Sequence, residues 1–161
     1  MRIPDKLTAE KLKGYNDEMT ISQVVKYFER QGLSFTKTMI QNYVRVEVLP
    51  PPVNKRYYTK RHLLFLYIID DLKSVFSLDE IKRVFAPVTA DFENGDMQLI
   101  YKCYAQFYEN YITRYTESEN ELKEEIAKLT EDAPSREVLR SICVMAESAA
   151  AKNIATSLPQ G

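Results

Sequence analysis

The sequence predicts a mainly α-helical protein, in which a compact first half of short helices is followed by a long-helix extension. Apolar residues recur at helical spacing through most of the chain, and only 4 of the 161 residues are glycine, which disfavours folds with many tight turns. The length fits one domain plus an extension. A content of 45% hydrophobic and 28% charged residues is typical of globular proteins and predicts a folded core.

The first predicted helix runs from Ile21 to Arg30. Thr20 stands before it as an N-cap, and Gly32 ends it. Residues 1–19 are polar and contain Pro4, so we predict an N-terminal arm there.

The second predicted helix is capped by Thr36 and buries Met39, Ile40 and Tyr43 before three consecutive prolines, residues 50–52, forbid its continuation. A short connection that contains a glycine separates it from the first helix. This is the helix-turn-helix layout.

A small basic hairpin, or wing, is predicted for VNKRYY, residues 53–58. Thr59 then caps a third helix whose apolar content is nearly continuous, as expected of a central core helix. Ser77 and Glu80 fit a capping box that opens a fourth helix, predicted to end at about Ala86, before Pro87.

The back half predicts two long helices, from about Asp96 to Leu129 and from Pro134 or Ser135 to about Thr156, arranged as a helical hairpin, an antiparallel pair or a coiled-coil extension. Tyrosines in the first of them alternate spacings of three and four, which is typical of a helix seam. We predict that the seam packs in a core or forms a dimer surface, with a pocket for a small-molecule effector as the alternative. The seam comprises Tyr101, Tyr104, Tyr108, Tyr111 and Tyr115.

Charge divides the chain into a basic front and an acidic back. The predicted domain at residues 20–86 carries a net charge of +5, the region 87–161 carries −6, and residues 1–19 balance. The asymmetry favours a polyanionic partner for the front domain and a helical dimerisation or effector region behind it.

Several function classes are disfavoured. No apolar run reaches membrane length and the N-terminal residues lack the apolar region of a secretion signal, so a cytoplasmic protein without a membrane partner is expected. Cys103 and Cys143 lack metal-site spacing and are predicted to be buried thiols, which implies no metal and no cofactor. No catalytic motif is present and the lone histidine, His62, is predicted to serve a helix cap, so we do not expect an enzyme.

In their order and spacing, TISQVVKYF, TKTMIQNYV, LPPPVNKRYYTKRHL and LYIIDDLKSVFSLDEIKRVF resemble the MerR-like winged helix-turn-helix family, most closely MerR-like proteins of unassigned function from Gram-positive bacteria. The resemblance covers about residues 20–86. It implies that Arg56 contacts the DNA backbone, that Tyr58 packs between wing and helix, and that a helix after the domain mediates dimerisation.

The second helix presents a polar side suited to reading DNA, because Gln or Asn pairs with adenine while Lys and Arg contact phosphate. A solvated helix face is the simpler reading of that side. The wing gathers basic and aromatic residues that suit phosphate or the minor groove, although packing explains its tyrosines as well. The predicted DNA-binding residues are Thr36, Lys37, Thr38, Gln41, Asn42, Arg45, Lys55, Arg56, Tyr57, Lys60 and Arg61.

We therefore predict a sequence-specific transcriptional regulator that binds double-stranded DNA as a homodimer. The alternatives are a non-catalytic protein-interaction module on the same scaffold and a small-molecule sensor that uses the tyrosine-rich helices.

Overall fold

The computed structural model describes residues 8–93 and 96–157, and this part of the chain is mainly helical, as predicted. The α-helices are α1 (Thr8–Lys11), α2 (Ile21–Arg30), α3 (Lys37–Arg45), α4 (Lys60–Leu72), α5 (Leu78–Ala90), α6 (Met97–Leu129) and α7 (Ala133–Ser157), and a 3-10 turn covers Leu12–Gly14. None of the described helices is long and apolar enough to cross a membrane.

The N-caps predicted at Thr20, Thr36 and Ser77 are confirmed. In α2 and in α5 the cap hydroxyl, from Thr20 or Ser77, accepts the N3 backbone N–H while the N3 side chain accepts the cap's own N–H. Thr36 Oγ1 accepts from the backbone N–H of Met39 at 3.1 Å in α3. These reciprocal bonds satisfy donors that a helix cannot satisfy itself, so short polar signals fix where the helices begin.

The connection between α2 and α3 is a Schellman turn. Leu33 N donates to Phe28 O at 2.9 Å and Gly32 N donates to Glu29 O at 3.0 Å, while Gly32 has a φ of +75°. Glycine adopts this left-handed conformation without a steric cost, so it both ends α2 and redirects the chain into α3.

Helix α5 extends beyond the predicted end at Ala86 and reaches Ala90, with Pro87 inside it. The proline lies in the last turn, so little helix follows the backbone hydrogen bond that it removes. Val88 packs against the core and gives the extra turn an apolar anchor.

The predicted hairpin at residues 53–58 is a tight turn with isolated bridges, and no strand is assigned in the described ranges. Val53 pairs with Tyr57, and Tyr58 pairs with Met19 through backbone hydrogen bonds of 2.8 and 3.0 Å. The bridge between Tyr58 and Met19 joins the turn to the segment before α2.

The chain divides into two compact units, residues 1–106 and 107–161. In the first unit α4 is the central helix, with every residue from His62 to Ile69 buried. Leu12 and Met19, which fall in the segment predicted as an arm, are also buried in this core.

Tyrosines give the core of the first unit a polar interior. The hydroxyls of Tyr27 and Tyr67 lie 2.9 Å apart, and the ring of Tyr67 lies 6.0 Å from that of Tyr101. Tyr104 donates to the buried Asp71 at 3.3 Å. A buried hydroxyl needs such a partner, so these residues specify how α2, α4 and the start of α6 pack.

The second unit is a helical hairpin, as predicted. Arg140 on α7 pairs with Glu119 on α6, and Arg136 Nε donates to Thr130 O at 2.7 Å near the connection. The hydrogen bond from Arg140 lowers the pKa of Glu119. These contacts join positions that converge toward the turn, as antiparallel helices require.

The prediction that both cysteines are buried is wrong for Cys103, which is exposed, while Cys143 is half-buried. Cys103 lies on α6 between the buried Tyr101 and Ala105, and the helical turn directs it away from the core that both of them enter.

Candidate nucleic-acid interface

Helix α3 has one buried face and one exposed polar face. Ile40 and Tyr43 are buried, with exposed fractions of 0% and 5%. The exposed side chains of the opposite face are Lys37, Thr38, Gln41 and Arg45. Because the apolar residues anchor the helix, the polar ones are held outward on a rigid element.

Three of the predicted contact residues on α3 and its N-cap have local partners. The Thr36 hydroxyl serves as the helix cap, and Asn42 Oδ1 accepts from Arg45 Nη2 at 2.7 Å. The Asn42 amide therefore orients the guanidinium of Arg45 one helical turn away. Lys37 and Gln41 have no such hydrogen bond within the described part of the chain.

The turn after the prolines has an unusual backbone. Asn54 and Lys55 both have positive φ values, 52° and 58°, and Arg56 N donates to Val53 O at 3.1 Å. Asparagine tolerates this region, whereas lysine is disfavoured there relative to glycine. The tip of the turn therefore presents a lysine at a conformational cost.

Lys55 and Arg56 are both exposed at this turn. The guanidinium of Arg56 lies 5.2 Å from the ring centroid of the half-buried Tyr57, a cation–π contact, while Tyr58 is buried at 4% exposure. The turn therefore exposes two cations and packs its second tyrosine inward.

Lys60 and Arg61, also predicted as DNA contacts, are engaged within the first unit. Lys60 Nζ donates to Lys13 O at 3.2 Å and lies 3.8 Å from Asp17 Oδ2. Arg61 Nη1 donates to Phe92 O at 3.2 Å. These partners are distant in sequence, so no local pattern could have revealed them.

His62 is the helix-cap residue that the sequence predicts. Its Nδ1 accepts from the backbone N–H of Thr59 at 3.0 Å, which leaves Nε2 to donate to Pro51 O at 3.2 Å. Its ring packs edge-on against Tyr58 and Phe92. Burial lowers the pKa of His62 to about 4, so the imidazole is neutral near pH 7.

The tyrosine seam does not form one surface. Tyr101 is fully buried in the first unit and Tyr104 is half-buried there, so the assignment of Tyr101 to a dimer or effector surface is wrong. In the second unit Tyr111 is 52% exposed and stacks on the half-buried Tyr115 at 6.1 Å, and Tyr108 is half-buried. A spacing pattern alone cannot distinguish a dimer seam from intramolecular packing.

Sequence reasoning missed the contacts that follow α3. Glu47 has a φ of 60°, and Lys82 on α5 lies 2.6 Å from its carboxylate. Val48 N donates to Tyr43 O at 2.9 Å and Glu47 N to Val44 O at 3.1 Å, so α3 ends in a second Schellman turn without glycine. The missing glycine explains why sequence signals did not indicate it.

A cleft of about 460 Å³ lies beside this turn. Its lining residues are Val44, Glu47, Leu49, Pro50, Pro51, Lys82, Ala86, Thr89 and Ala90. Among the described residues, no group of three or more metal-binding side chains is present.

A family model described as a domain of unknown function, DUF1836, matches residues 9–111. No curated protein and no solved structure matches the chain. The expected membership of the MerR-like family is therefore wrong. The matched range also begins before and ends well after the 20–86 segment that carried the resemblance. Capped helices joined by short turns obey general rules of helix termination, so their order does not identify a family.

Proposed function

Because the chain belongs to the DUF1836 family of unknown function, we propose its role from its own interface: a sequence-specific transcriptional regulator that binds double-stranded DNA as a homodimer. In this proposal the protein acts in the cytoplasm and without catalysis. Helices α2 and α3 with the turn at residues 53–58 act as a winged helix-turn-helix.

The observation that carries the proposal is the polar face of α3. Lys37, Thr38 and Gln41 lie in the N-terminal half of the helix and are exposed, while Ile40 and Tyr43 fasten the opposite face to the core. A helix presented in this way fits the major groove, where its N-terminal side chains meet base edges. Gln41 suits adenine, which offers both a donor and an acceptor there.

The turn at residues 53–58 supplies the phosphate contacts. Lys55 and Arg56 are exposed, and the position of Lys55 in the left-handed region favours a role that outweighs the conformational cost. Lys60 and Arg61 position the turn through their internal partners, so we assign them a supporting role.

The first test is selection of bound duplexes from a random pool at low and moderate salt. We expect an enriched palindrome, since a symmetric dimer reads two half-sites. The Lys37→Ala/Arg56→Ala variant should lose retention, whereas Arg83→Ala, which removes an exposed cation from α5, should retain the palindrome.

If the native protein retains no duplex, the proposal fails and a protein-interaction module becomes the better assignment. If Arg83→Ala and the double variant lose the same amount of duplex retention, net charge, and not this surface, governs binding.

Base reading is tested separately with Gln41→Ala. We expect a loss of roughly 1 to 3 kcal/mol in binding free energy on the selected site and little change on random duplexes. An equal loss of binding free energy on the selected site and on random duplexes would show that Gln41 contacts the DNA backbone and not a base.

A further inference from the structure

Helix α7 carries an apolar stripe, here called the outer stripe, which consists of Val138, Ile142, Met145 and Ala149. Their spacings of four, three and four residues place all of them within one narrow arc of the helix. This is the pattern by which one helix packs along another.

The outer stripe does not face α6. Arg136 donates to the connection and Arg140 pairs with Glu119 on α6, and the half-buried Cys143 lies on the same side of α7 as both arginines. At 3.6 residues per turn, that side lies roughly opposite the stripe. Helix α7 therefore has two packing faces, and the hairpin uses the more polar one.

The stripe is exposed although it is the more apolar face. The exposed fractions are 57% for Val138, 57% for Ile142 and 70% for Met145, and Leu139 beside them is 37% exposed. No residue of α7 that the structure describes is buried. Contiguous exposure of large apolar side chains along one helix is typical of an interaction surface.

The residues that flank the stripe indicate what covers it. The positions on either side are Leu139, Ser141, Ala146 and Ser148, and none carries a charge. A helix that selects a different partner normally uses charged flanking positions, whereas two identical copies must avoid like charges facing each other. Small flanking side chains also allow two helices to approach closely.

We propose that the outer stripe of α7 binds the same stripe of a second copy, so that two hairpins pair through α7. The inference rests on the proposed function, because it names the surface through which the homodimer forms. It also places the dimer contact on α7 and not on the tyrosines of α6.

Sedimentation of the full-length chain without DNA tests the pairing. We expect a concentration-dependent dimer, and Ile142→Glu should raise its dissociation constant at least about 100-fold because the seam would bury an unpaired charge in each copy. The matched control is Leu99→Glu, which adds the same charge at a residue of similar exposure, 56%, in the first unit. The control should remain dimeric.

A second arm separates loss of the surface from loss of the fold. Ile142→Glu and Ile142→Lys should each be weakened alone, and an equimolar mixture should recover the dimer because opposite charges then meet across the seam. A monomeric native chain, an undiminished dimer in Ile142→Glu, or no recovery on mixing would overturn the inference. A native dimer that selects no duplex would refute the proposed function while leaving this surface intact.

Discussion

At the scale of single residues, His62 connects four parts of the first unit. It accepts from the start of α4, donates to the proline segment, and packs against Tyr58 and Phe92. The bond from Thr59 requires the neutral ring, whose Nδ1 accepts and whose Nε2 donates. A protonated His62 could not accept at Nδ1.

The stability of the fold should therefore decrease as the pH falls from about 6.5 to about 4. Across this window the unfolded chain binds a proton at His62 while the folded chain, with a pKa of about 4, does not. At roughly 1.4 kcal/mol per pH unit, the loss in unfolding free energy approaches about 3 kcal/mol. Urea unfolding at a series of pH values measures it.

The control is His62→Gln, because Gln23 performs the same capping role in α2. This variant should be less stable at pH 7, since it lacks the contact with Pro51 and the ring packing. Its stability should depend much less on pH within the window. An equal pH dependence in both proteins would assign the effect to other groups.

Lys55 offers a second prediction at this scale. Lys55→Gly should raise the free energy of unfolding by about 0.5 to 1 kcal/mol, because glycine adopts the φ of 58° without a steric cost. The same change should weaken duplex binding by removing a cation. Thermal unfolding and a binding titration measure the two effects.

Asn54→Gly is the matched control, because it relaxes the neighbouring position, at a φ of 52°, and keeps the charge. Duplex binding should survive in this variant. If Lys55→Gly binds duplexes as well as the native protein does, Lys55 is not a DNA contact.

At the scale of elements, the turn between α2 and α3 fixes how the polar face of α3 is presented. Gly32→Ala should destabilise the fold by about 1 kcal/mol through backbone strain alone, since a Cβ at Gly32 would meet no atom within 4 Å. Urea unfolding would show this destabilisation as a lower midpoint, while the dependence of the unfolding free energy on urea concentration stays unchanged.

Gly14→Ala is the control for that experiment. An added Cβ at Gly14 also meets nothing within 4 Å, and its φ lies outside the disfavoured range. We expect a neutral or slightly stabilising change. If both substitutions cost the same stability, strain at Gly32 is not the cause.

At the scale of the whole molecule, the basic front domain should make the DNA affinity of the proposed regulator depend measurably on salt concentration. Four cations lie on the proposed surface of each chain, namely Lys37, Arg45, Lys55 and Arg56. If each meets one phosphate, the slope of log K against log salt should be about −7 for a dimer and about −4 for a monomer. Binding titrations at several salt concentrations distinguish the two.

Lys37→Ala should reduce the magnitude of that slope by about two in a symmetric dimer, one for each lost phosphate contact. Arg83→Ala should leave it unchanged. A slope that Lys37→Ala does not alter would remove Lys37 from the phosphate contacts.

Local signals in the sequence determined where α2, α3 and α5 begin and where α2 ends. Thr20, Thr36 and Ser77 form the predicted caps because a hydroxyl and the N–H groups that it serves lie within three residues. Gly32 ends α2 for a reason that is also local, because its left-handed φ of 75° and the hydrogen bonds of the turn involve only neighbouring residues. The mainly helical class and the back-half hairpin followed from apolar periodicity.

Only the tertiary structure decided which side chains those helices bury and which they leave exposed. Tyr101 and Tyr111 share one periodic pattern, yet Tyr101 is buried and Tyr111 is 52% exposed. Lys60 and Arg61 look like free cations until residues that are distant along the chain engage them. Periodicity shows that a helix has a face, but what covers that face depends on contacts between segments that only folding brings together.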